Sequence, residues 1–412
     1  MAGVPTGPKA AVGAAVAAAL FRRAVAKLPL RVEYPDGSVG GTGSAGCAPR
    51  MVIRRPAAFA ARVATSGLIG FGEAYMAGDW SAPDLAAVLT VFAGQMSTLI
   101  PAPLQHLRSV VLPRPPHHQR GTRGGARANI AHHYDLSNEF FELFLDETLT
   151  YSAALFEQTD PPPSWVDLAA AQRRKIDRVL DLVDVQAGSR VLEIGTGWGE
   201  VAISAARRGA TVHTVTLSRQ QHMLARERIA EAGLADRVTV ELCDYRDVTG
   251  RYDAIISVEM IEAVGYRYLP RYLQTLDRLL ADGGRIVLQA ITMPHDRMLA
   301  TRNAYTWVHK YIFPGGFLPS VRLLTELTAK HTSLRIRDSR SFGDHYAQTL
   351  RLWSQRFTAH AGGAQALGFD PTFRRMWRLY LAYSQAGFAS GYLDVHHFVL
   401  DRAHSVEPPE KP

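Results

Sequence analysis

Short apolar runs in the second half of the chain alternate with longer stretches in which apolar residues recur at roughly three- to four-residue intervals. The short runs predict buried strands, and the longer stretches predict helices. Strands are expected at Arg190–Ile194, Thr211–Leu217, Val238–Cys243, Tyr252–Val258 and Gly284–Ile291. Helices are expected at Glu200–Arg208, Arg219–Ala232 and Leu269–Leu280, after an earlier helix that a capping box at Ser164 and Asp167 opens.

This alternation is typical of an α/β fold with a doubly wound, mainly parallel sheet. Such sheets bind their ligands at the carboxyl ends of the strands. The sequence Asp282–Gly284 predicts the turn into the last of these strands. A late apolar segment, Val395–Leu400, predicts a final strand that closes the sheet in the antiparallel direction.

The N-terminal part of the chain has a less regular pattern, which predicts a small α/β domain. Its strand-like pieces are Leu30–Tyr34 and Arg50–Ile53, and its helix-like pieces are Pro56–Ser66 and Leu85–Phe92. The segment Pro101–Arg127 is rich in Pro, Gly, Arg and His, a composition typical of a flexible linker. We therefore predict an N-terminal domain at 1–104, a basic linker at 105–128 and a second domain at 129–412.

The charge of the chain is unevenly distributed. The net charge is +8, and no acidic residue occurs between Asp84 and Asp135. Five arginines fall in that interval, namely Arg108, Arg114, Arg120, Arg123 and Arg127. Such a segment favours a polyanionic partner, either an anionic membrane surface or a nucleic acid, although a solvated linker has the same composition.

Two further properties limit the class of protein. The two cysteines, Cys47 and Cys243, lie far apart in the sequence, which excludes a disulfide framework or a zinc quartet. This cysteine content fits a reducing cytosol, and we predict no metal site. No apolar run is long enough to cross a membrane, so we expect any contact with a membrane to be peripheral.

The segment Ser189–Gly199, SRVLEIGTGWG, carries the strongest chemical signal. An apolar strand ends at Glu193 and leads through Gly195, Gly197 and Gly199 into a helix. Glycines at such a turn allow the backbone to approach a nucleotide-like ligand closely. The spacing E-x-G-x-G-x-G differs from that of dinucleotide enzymes and suits S-adenosylmethionine, which has no pyrophosphate; a plain strand–helix turn is the alternative.

Five motifs in order resemble those of the cyclopropane fatty acid synthases and the related mycolic acid methyltransferases. They are HYDLSNEFFELFLDETLTYS, TLSRQQ, LCDYRDV, SVEMIEAVG and KYIFPGGFLPS, and the resemblance extends from about Asn129 to Arg402. The N-terminal sequence GFGEAYMAGDW is similar to the extra domain of synthases that act on phospholipids. The resemblance implies a seven-stranded Rossmann-like methyltransferase sheet and transfer of a methyl group from S-adenosylmethionine to the cis double bond of an unsaturated acyl chain.

The resemblance also implies the residues of the site. Tyr134, Tyr151 and Ser152 would contact the cofactor, together with Glu193 and the Gly195–Gly197 turn. Thr216, Leu217 and Gln221 would hold the ribose, and Asp244 and Tyr245 would flank the adenine. Glu262, Gln289 and Tyr346 would line the reaction centre, where we expect Glu262 to remove a proton and Tyr346 to orient it.

The chain departs from this family at positions that help to hold a bicarbonate ion, the base in cyclopropane synthases. Ala153 stands where those enzymes have Cys, Gln289 where they have His, and Ser384 where Cys is frequent. These changes argue against bicarbonate, and therefore against the step that closes the ring. They favour a 10-methylene product, which a separate flavin or nicotinamide reductase would convert to a 10-methyl (tuberculostearate) chain; cyclopropanation is the alternative.

Other functions fit less well. A nucleic-acid methyltransferase would use a target-base tetrapeptide after the fourth strand, where this chain has Ser257–Ile261, SVEMI. A lipid carrier without catalysis would not need the glycine-rich turn. We therefore expect a cytoplasmic enzyme that is peripheral on the inner face of the cell membrane, with phospholipid acyl chains as substrates and no nucleic acid. A homo-oligomer is compatible with the sequence.

Overall fold

The computed structural model describes residues 3–44, 46–95 and 136–402. The predicted linker at 105–128, the domain boundaries beside it and Tyr134 lie outside these ranges. The strands are β1 Arg31–Glu33, β2 Val39–Gly40, β3 Arg50–Ile53, β4 Trp80–Ser81, β5 Arg190–Ile194, β6 Thr211–Thr216, β7 Val238–Leu242, β8 Tyr252–Val258, β9 Leu280–Thr292, β10 Leu334–Ser341 and β11 Asp394–Arg402.

Helices cover both faces of the larger sheet and form most of the N-terminal part. They are α1 Pro8–Val25, α2 Pro56–Ala77, α3 Leu85–Gly94, α4 Asn138–Glu142, α5 Leu168–Leu182, α6 Glu200–Arg207, α7 Arg219–Glu231, α8 Leu269–Leu279, α9 His295–Thr301, α10 Trp307–Tyr311, α11 Val321–His331, α12 Gly343–Ala359, α13 Ala361–Ala366 and α14 Pro371–Ala389. Short 3₁₀ turns occur at Trp165–Asp167, Tyr245–Asp247, Ile261–Ala263 and Tyr266–Tyr268.

The larger sheet confirms the predicted fold class. It has seven strands in the order β10-β11-β9-β8-β5-β6-β7, and the five from β5 to β9 are parallel. The strand order reverses between β5 and β8, because the chain continues from β5 to β6 on one side and from β8 to β9 on the other. A reversal of this kind opens a crevice at the carboxyl ends of the strands, which is where these folds bind ligands.

Two details of the sheet differ from the prediction. The strand expected at Gly284–Ile291 begins at Leu280, and the expected turn at Asp282–Gly284 is an irregularity inside it, where Gly283 has a φ of 76°. The final strand, β11, is antiparallel as predicted, but it pairs on one side with β9 and on the other with β10, which forms the edge. The sequence analysis missed β10 because most of its residues are exposed and polar.

The N-terminal part has its own four-stranded sheet, in the order β2-β1-β3-β4, and packs on the part of the chain that contains the larger sheet. The buried Glu73 on α2 accepts hydrogen bonds from Lys310 (2.5 Å) and from the Tyr311 hydroxyl (2.8 Å) on α10. Arg375 on α14 donates to the backbone oxygens of Tyr75 (2.6 Å) and Trp80 (3.0 Å). The GFGEAYMAGDW segment therefore supports α10 and α14.

Candidate active site

The glycine-rich turn joins β5 to α6 at the reversal of strand order. Gly195, Gly197 and Gly199 all have positive φ, of 99°, 52° and 92°. A Cβ atom built on Gly197 would meet no protein atom within 4 Å, so a side chain there would extend into the pocket above the turn. The turn thus leaves space directly against its backbone, as a closely bound ligand requires.

The pocket brings together ten of the eleven residues that the sequence analysis assigned to the cofactor. They are Tyr151, Ser152, Glu193, Gly195, Gly197, Thr216, Leu217, Gln221, Asp244 and Tyr245. The eleventh, Tyr134, lies outside the described residues. These residues come from four separate segments of the chain, so the pocket depends on the whole parallel sheet rather than on the glycine-rich turn alone.

Two loops on one side of the pocket are held by internal hydrogen bonds. The Thr216 hydroxyl donates to the side-chain oxygen of Gln221 (3.0 Å), which orients the Gln221 amide. Asp244 accepts hydrogen bonds from the Arg246 side chain at 2.8 and 2.5 Å. Arg246 also lines the pocket, and the sequence analysis did not identify it.

The opposite side of the pocket contains a buried cation that the sequence analysis missed. Lys175 on α5 is fully buried and donates to the Ser152 hydroxyl at 2.7 Å. Burial lowers the pKa of Lys175 to about 8. Gln172, one helical turn earlier, donates to the backbone oxygen of Ser152 (2.9 Å), so α5 fixes the Tyr-Ser segment in place. The signal in the sequence was the pair Gln172 and Lys175 on the buried face of an amphipathic helix.

Glu193 forms the floor beside the glycine-rich turn. It is 3% exposed, and its carboxylate accepts a hydrogen bond from the Thr214 hydroxyl at 2.6 Å. Burial raises the pKa of Glu193 to about 8, partly offset by that hydrogen bond and by Lys175. A cation brought into the pocket would therefore favour the ionised form of Glu193.

A second carboxylate, that of Glu259, lies in the pocket wall. Its Oε1 accepts hydrogen bonds from the Ala153 backbone N–H (2.9 Å) and from Gln289 Nε2 (2.7 Å). Its Oε2 accepts one from the Tyr346 hydroxyl at 2.6 Å. Glu259 follows β8 directly and has a φ of 48°, a left-handed conformation that is uncommon for a residue other than glycine.

The orientation of Gln289 is fixed by His397 on the neighbouring strand β11. His397 Nε2 lies 2.9 Å from Gln289 Oε1, and burial lowers the pKa of His397, which keeps this imidazole neutral. The Nε2–H of His397 therefore donates to the amide oxygen of Gln289, and the amide nitrogen of Gln289 is directed to Glu259. His397 was not identified from sequence.

Glu262 lies next to this cluster but is not part of the pocket wall. Its Oε1 accepts a hydrogen bond from the Ile291 backbone N–H at 2.6 Å. Its Oε2 is buried and has no hydrogen-bond partner among the described residues. Burial, with a contribution from the charge of Glu259, raises the pKa of Glu262 to about 8. The Phe317 backbone N–H donates to the backbone oxygen of Glu262 (2.8 Å), which shows how the KYIFPGGFLPS motif supports this turn.

One predicted contact is corrected by the structure. We expected Tyr346 to orient Glu262, but its hydroxyl donates to Glu259 because α12 places Tyr346 opposite the Ala153 segment. Two other residues of α12 hold that segment: the Thr349 hydroxyl accepts from Ala154 N–H (3.1 Å), and His345 Nδ1 accepts from Phe156 N–H (3.1 Å).

A cluster of buried aromatic side chains packs behind the pocket wall. Tyr346 packs on Phe388, with ring centroids 4.5 Å apart, and contacts Trp353 at 6.3 Å. Trp353 in turn contacts Tyr151 at 5.3 Å, and the Tyr151 hydroxyl lies 2.7 Å from that of Tyr380. An apolar wall of this kind excludes water, and aromatic faces stabilise a cation by about 2 kcal/mol when desolvated.

The fold and the pocket define the class of Rossmann-like S-adenosylmethionine-dependent methyltransferases. The family described as mycolic acid cyclopropane synthetase matches residues 122–398. This chain belongs to that family.

Three known proteins illustrate the relationship. The tuberculostearic acid methyltransferase UfaA1 of Mycobacterium tuberculosis is 56% identical over 404 residues, which are 98% of this chain and 94% of that protein. The cyclopropane-fatty-acyl-phospholipid synthase of Escherichia coli is 31% identical over 379 residues, 89% of this chain and 91% of that protein. The crystal structure of mycolic acid cyclopropane synthase CmaA1 complexed with SAH and CTAB superposes with a TM-score of 0.60 and 31% identity, covering 69% of this chain and 98% of that one.

Proposed function

We propose that this protein adds a carbon from S-adenosylmethionine to the cis double bond of an unsaturated phospholipid acyl chain and forms a 10-methylene product. The observation that carries the proposal is a carboxylate, Glu259, that lies in the wall of the cofactor-type pocket and is bordered by aromatic rings. The names of the relatives support the substrate class, since one is a tuberculostearic acid methyltransferase and another a fatty-acyl-phospholipid synthase.

The residues present fit the cofactor. The space above Gly197 would accommodate it against the backbone, and the buried Lys175 with Ser152 would receive its carboxylate end. Gln221 and Thr216 would hold the ribose hydroxyls, and Tyr245 would contact the adenine. When bound, S-adenosylmethionine supplies an electrophilic methyl group on a positively charged sulfur.

Reaction of the acyl chain then requires that the protein exclude water and that it accept a proton. Addition of the methyl group to one alkene carbon uses the π electron pair and leaves a cation on the other carbon, which water would trap. Tyr151 lines the pocket, and the rings of Trp353 and Tyr346 packed behind it would keep water away from that cation. A hydride shift moves the charge to the methylated carbon, and loss of a proton from the new methyl group leaves an exocyclic C=CH₂ bond.

The proton acceptor is one of two neighbouring carboxylates, those of Glu259 and Glu262. The assignment to Glu262 from sequence stays a prediction, and Glu262 lies close enough to Glu259 for their charges to interact. Alanine at 153 contributes no side-chain donor to an external bicarbonate ion, and glutamine at 289 contributes no positive charge, which supports the methylene product over cyclopropanation.

The composition of the first helix, α1, supports the proposal that the enzyme takes up its substrate at a phospholipid surface. Its solvent-facing side is apolar, with Val12, Val16 and Leu20 exposed by 68%, 56% and 51%. Arg22 and Arg23 follow in the last turn, where they suit anionic headgroups. Of the helices that the structure describes, none could cross a bilayer. We therefore propose a peripheral position on the inner face of the membrane. The arginine-rich segment that first indicated a membrane lies outside the described residues.

The test is transfer of labelled methyl groups to phospholipid vesicles. Protein, methyl-labelled S-adenosylmethionine and vesicles of dioleoyl phospholipid should give label in the acyl chains, and matched distearoyl vesicles should give none. Equal labelling of both lipids, or label only in the headgroup, would contradict an alkene substrate.

A further inference from the structure

Glu259 is the least expected side chain of the site. A carboxylate at the end of β8 is held by three donors, the N–H of Ala153, the amide of Gln289 and the hydroxyl of Tyr346. The backbone at this position is left-handed, a conformation that is strained for a non-glycine residue and persists only where the surroundings determine it. Both the donors and the strain point to a side chain with a role beyond packing.

We propose that the Glu259 carboxylate is the base that removes the proton from the methylated acyl chain, so that the enzyme carries its own anion where an external one would otherwise bind. This inference rests on the proposed function. In the step, a C–H bond of the added methyl group breaks, its electron pair forms the C=C bond of the methylene group, and the proton passes to a Glu259 oxygen. No oxidant or further reactant is needed.

The hydrogen bonds around Glu259 and Glu262 indicate which of the two carboxyl groups is ionised. Glu259 receives three hydrogen bonds that favour its charged form, whereas Glu262 receives one and has an oxygen without a partner. When two buried acids lie close together, the better-solvated one ionises and the other holds a proton. Glu259 is therefore the ionised member, and Glu262 the neutral one.

The charged and titratable groups around Glu259 agree with this assignment. Lys175 is the cation whose charge favours ionisation of Glu259, and Glu262 is the acid whose charge would oppose it. Tyr346 holds its proton, because burial and the adjacent Glu259 raise its pKa well above the ordinary value. Burial raises the pKa of Glu259 itself above that of an exposed acid, which strengthens it as a base.

Position favours Glu259 as well. Glu259 is part of the pocket wall that also contains Gly195 and Ser152, whereas Glu262 is not. A base must lie within reach of the proton that it removes, so the pocket-facing acid is the better placed.

Two substitutions at this position separate a base from a structural anchor. Glu259→Gly fits the left-handed backbone and leaves three donors facing an empty space of carboxylate size. Glu259→Gln fills the same space with an uncharged amide. In decarbonated buffer both variants should lose turnover on dioleoyl vesicles by roughly 10²-fold or more. Formate or bicarbonate should restore turnover to Glu259→Gly and not to Glu259→Gln.

A binding measurement supplies a readout that does not depend on turnover. Titration calorimetry without cofactor should detect formate binding to Glu259→Gly, and none to wild type or Glu259→Gln. S-Adenosylhomocysteine should bind all three proteins, which shows that the variants are folded.

Retention of turnover within a few-fold in either variant would overturn the assignment. So would a Glu259→Gly protein that binds formate and S-adenosylhomocysteine and yet stays inactive. If the wild-type protein methylates no unsaturated lipid, the proposed function fails instead. Formate binding to Glu259→Gly then still tests whether the Glu259 carboxylate occupies an anion-binding site.

Discussion

Replacement of Gly197 by valine tests the cofactor site most specifically. Gly197 has a φ of 52°, and a Cβ atom built there meets no protein atom within 4 Å. The added Cβ atom therefore causes no clash within the apoprotein, and the left-handed backbone costs about 1–2 kcal/mol. The three added carbons would occupy the space into which the cofactor must fit.

The loss of affinity follows from the rigidity of the turn. Inserting methyl groups into a filled site costs about 1–3 kcal/mol, which corresponds to roughly 5- to 150-fold weaker binding. The turn is fixed between β5 and α6, so we expect a loss at the upper end of this range. Titration calorimetry with S-adenosylhomocysteine measures it directly.

A second glycine provides the matched control. Gly233 has a φ of 71°, also faces open space and lies after α7, away from the pocket. Gly233→Val should lower the free energy of unfolding about as much as Gly197→Val and leave cofactor affinity unchanged. Unchanged affinity in folded Gly197→Val, or an equal loss in both variants, would refute the placement of the cofactor above the turn.

Other substitutions test the carboxylate end of the cofactor site, the buried Glu193 and the exposed apolar side of α1. Lys175→Met should weaken S-adenosylhomocysteine binding by roughly 10- to 150-fold in calorimetry, because a hydrogen bond to a charged group contributes about 1.5–3 kcal/mol; an unchanged affinity would remove Lys175 from the carboxylate site. The free energy of unfolding in urea should fall as pH rises from about 5 to about 8, because folded Glu193 keeps its proton up to about pH 8 whereas the unfolded side chain loses it near 4.5. Glu193→Gln should make this dependence less steep, with the raised pKa of Glu262 contributing the remainder, and an equally steep slope in that variant would contradict the assignment. The pair Val16→Asp and Leu20→Asp should weaken sedimentation with anionic vesicles by roughly tenfold or more, at about 1 kcal/mol for each half-exposed side chain, whereas Leu367→Asp, with a similarly exposed side chain elsewhere, should not.

The parallel strands could be predicted from sequence because burial on both faces makes them continuous apolar runs. β5 and β8 have the predicted limits, Arg190–Ile194 and Tyr252–Val258. The edge strand β10 could not be predicted, because only Leu334 among its residues is buried and its pattern has no clear period.

The candidate site was predictable where a local motif defines it and not where distant segments meet. The glycine-rich turn and the Thr216–Gln221 loop are local, and both line the pocket. The contacts of Glu259 with Ala153, Gln289 and Tyr346 join segments far apart in sequence, which no spacing rule connects. The available signal was a second acid three residues before Glu262, directly after a strand.

The central claim concerns the fate of the acyl cation, and an isotope measurement tests it most directly. Dioleoyl vesicles that carry deuterium on both double-bond carbons are incubated with the protein and unlabelled S-adenosylmethionine, and the product is analysed by mass spectrometry and NMR. The account predicts an exocyclic methylene group, with both deuterium atoms on the single carbon next to the methylated one. A cyclopropane ring with one deuterium on each ring carbon of the original alkene, or an acyl chain with no added carbon, would contradict it.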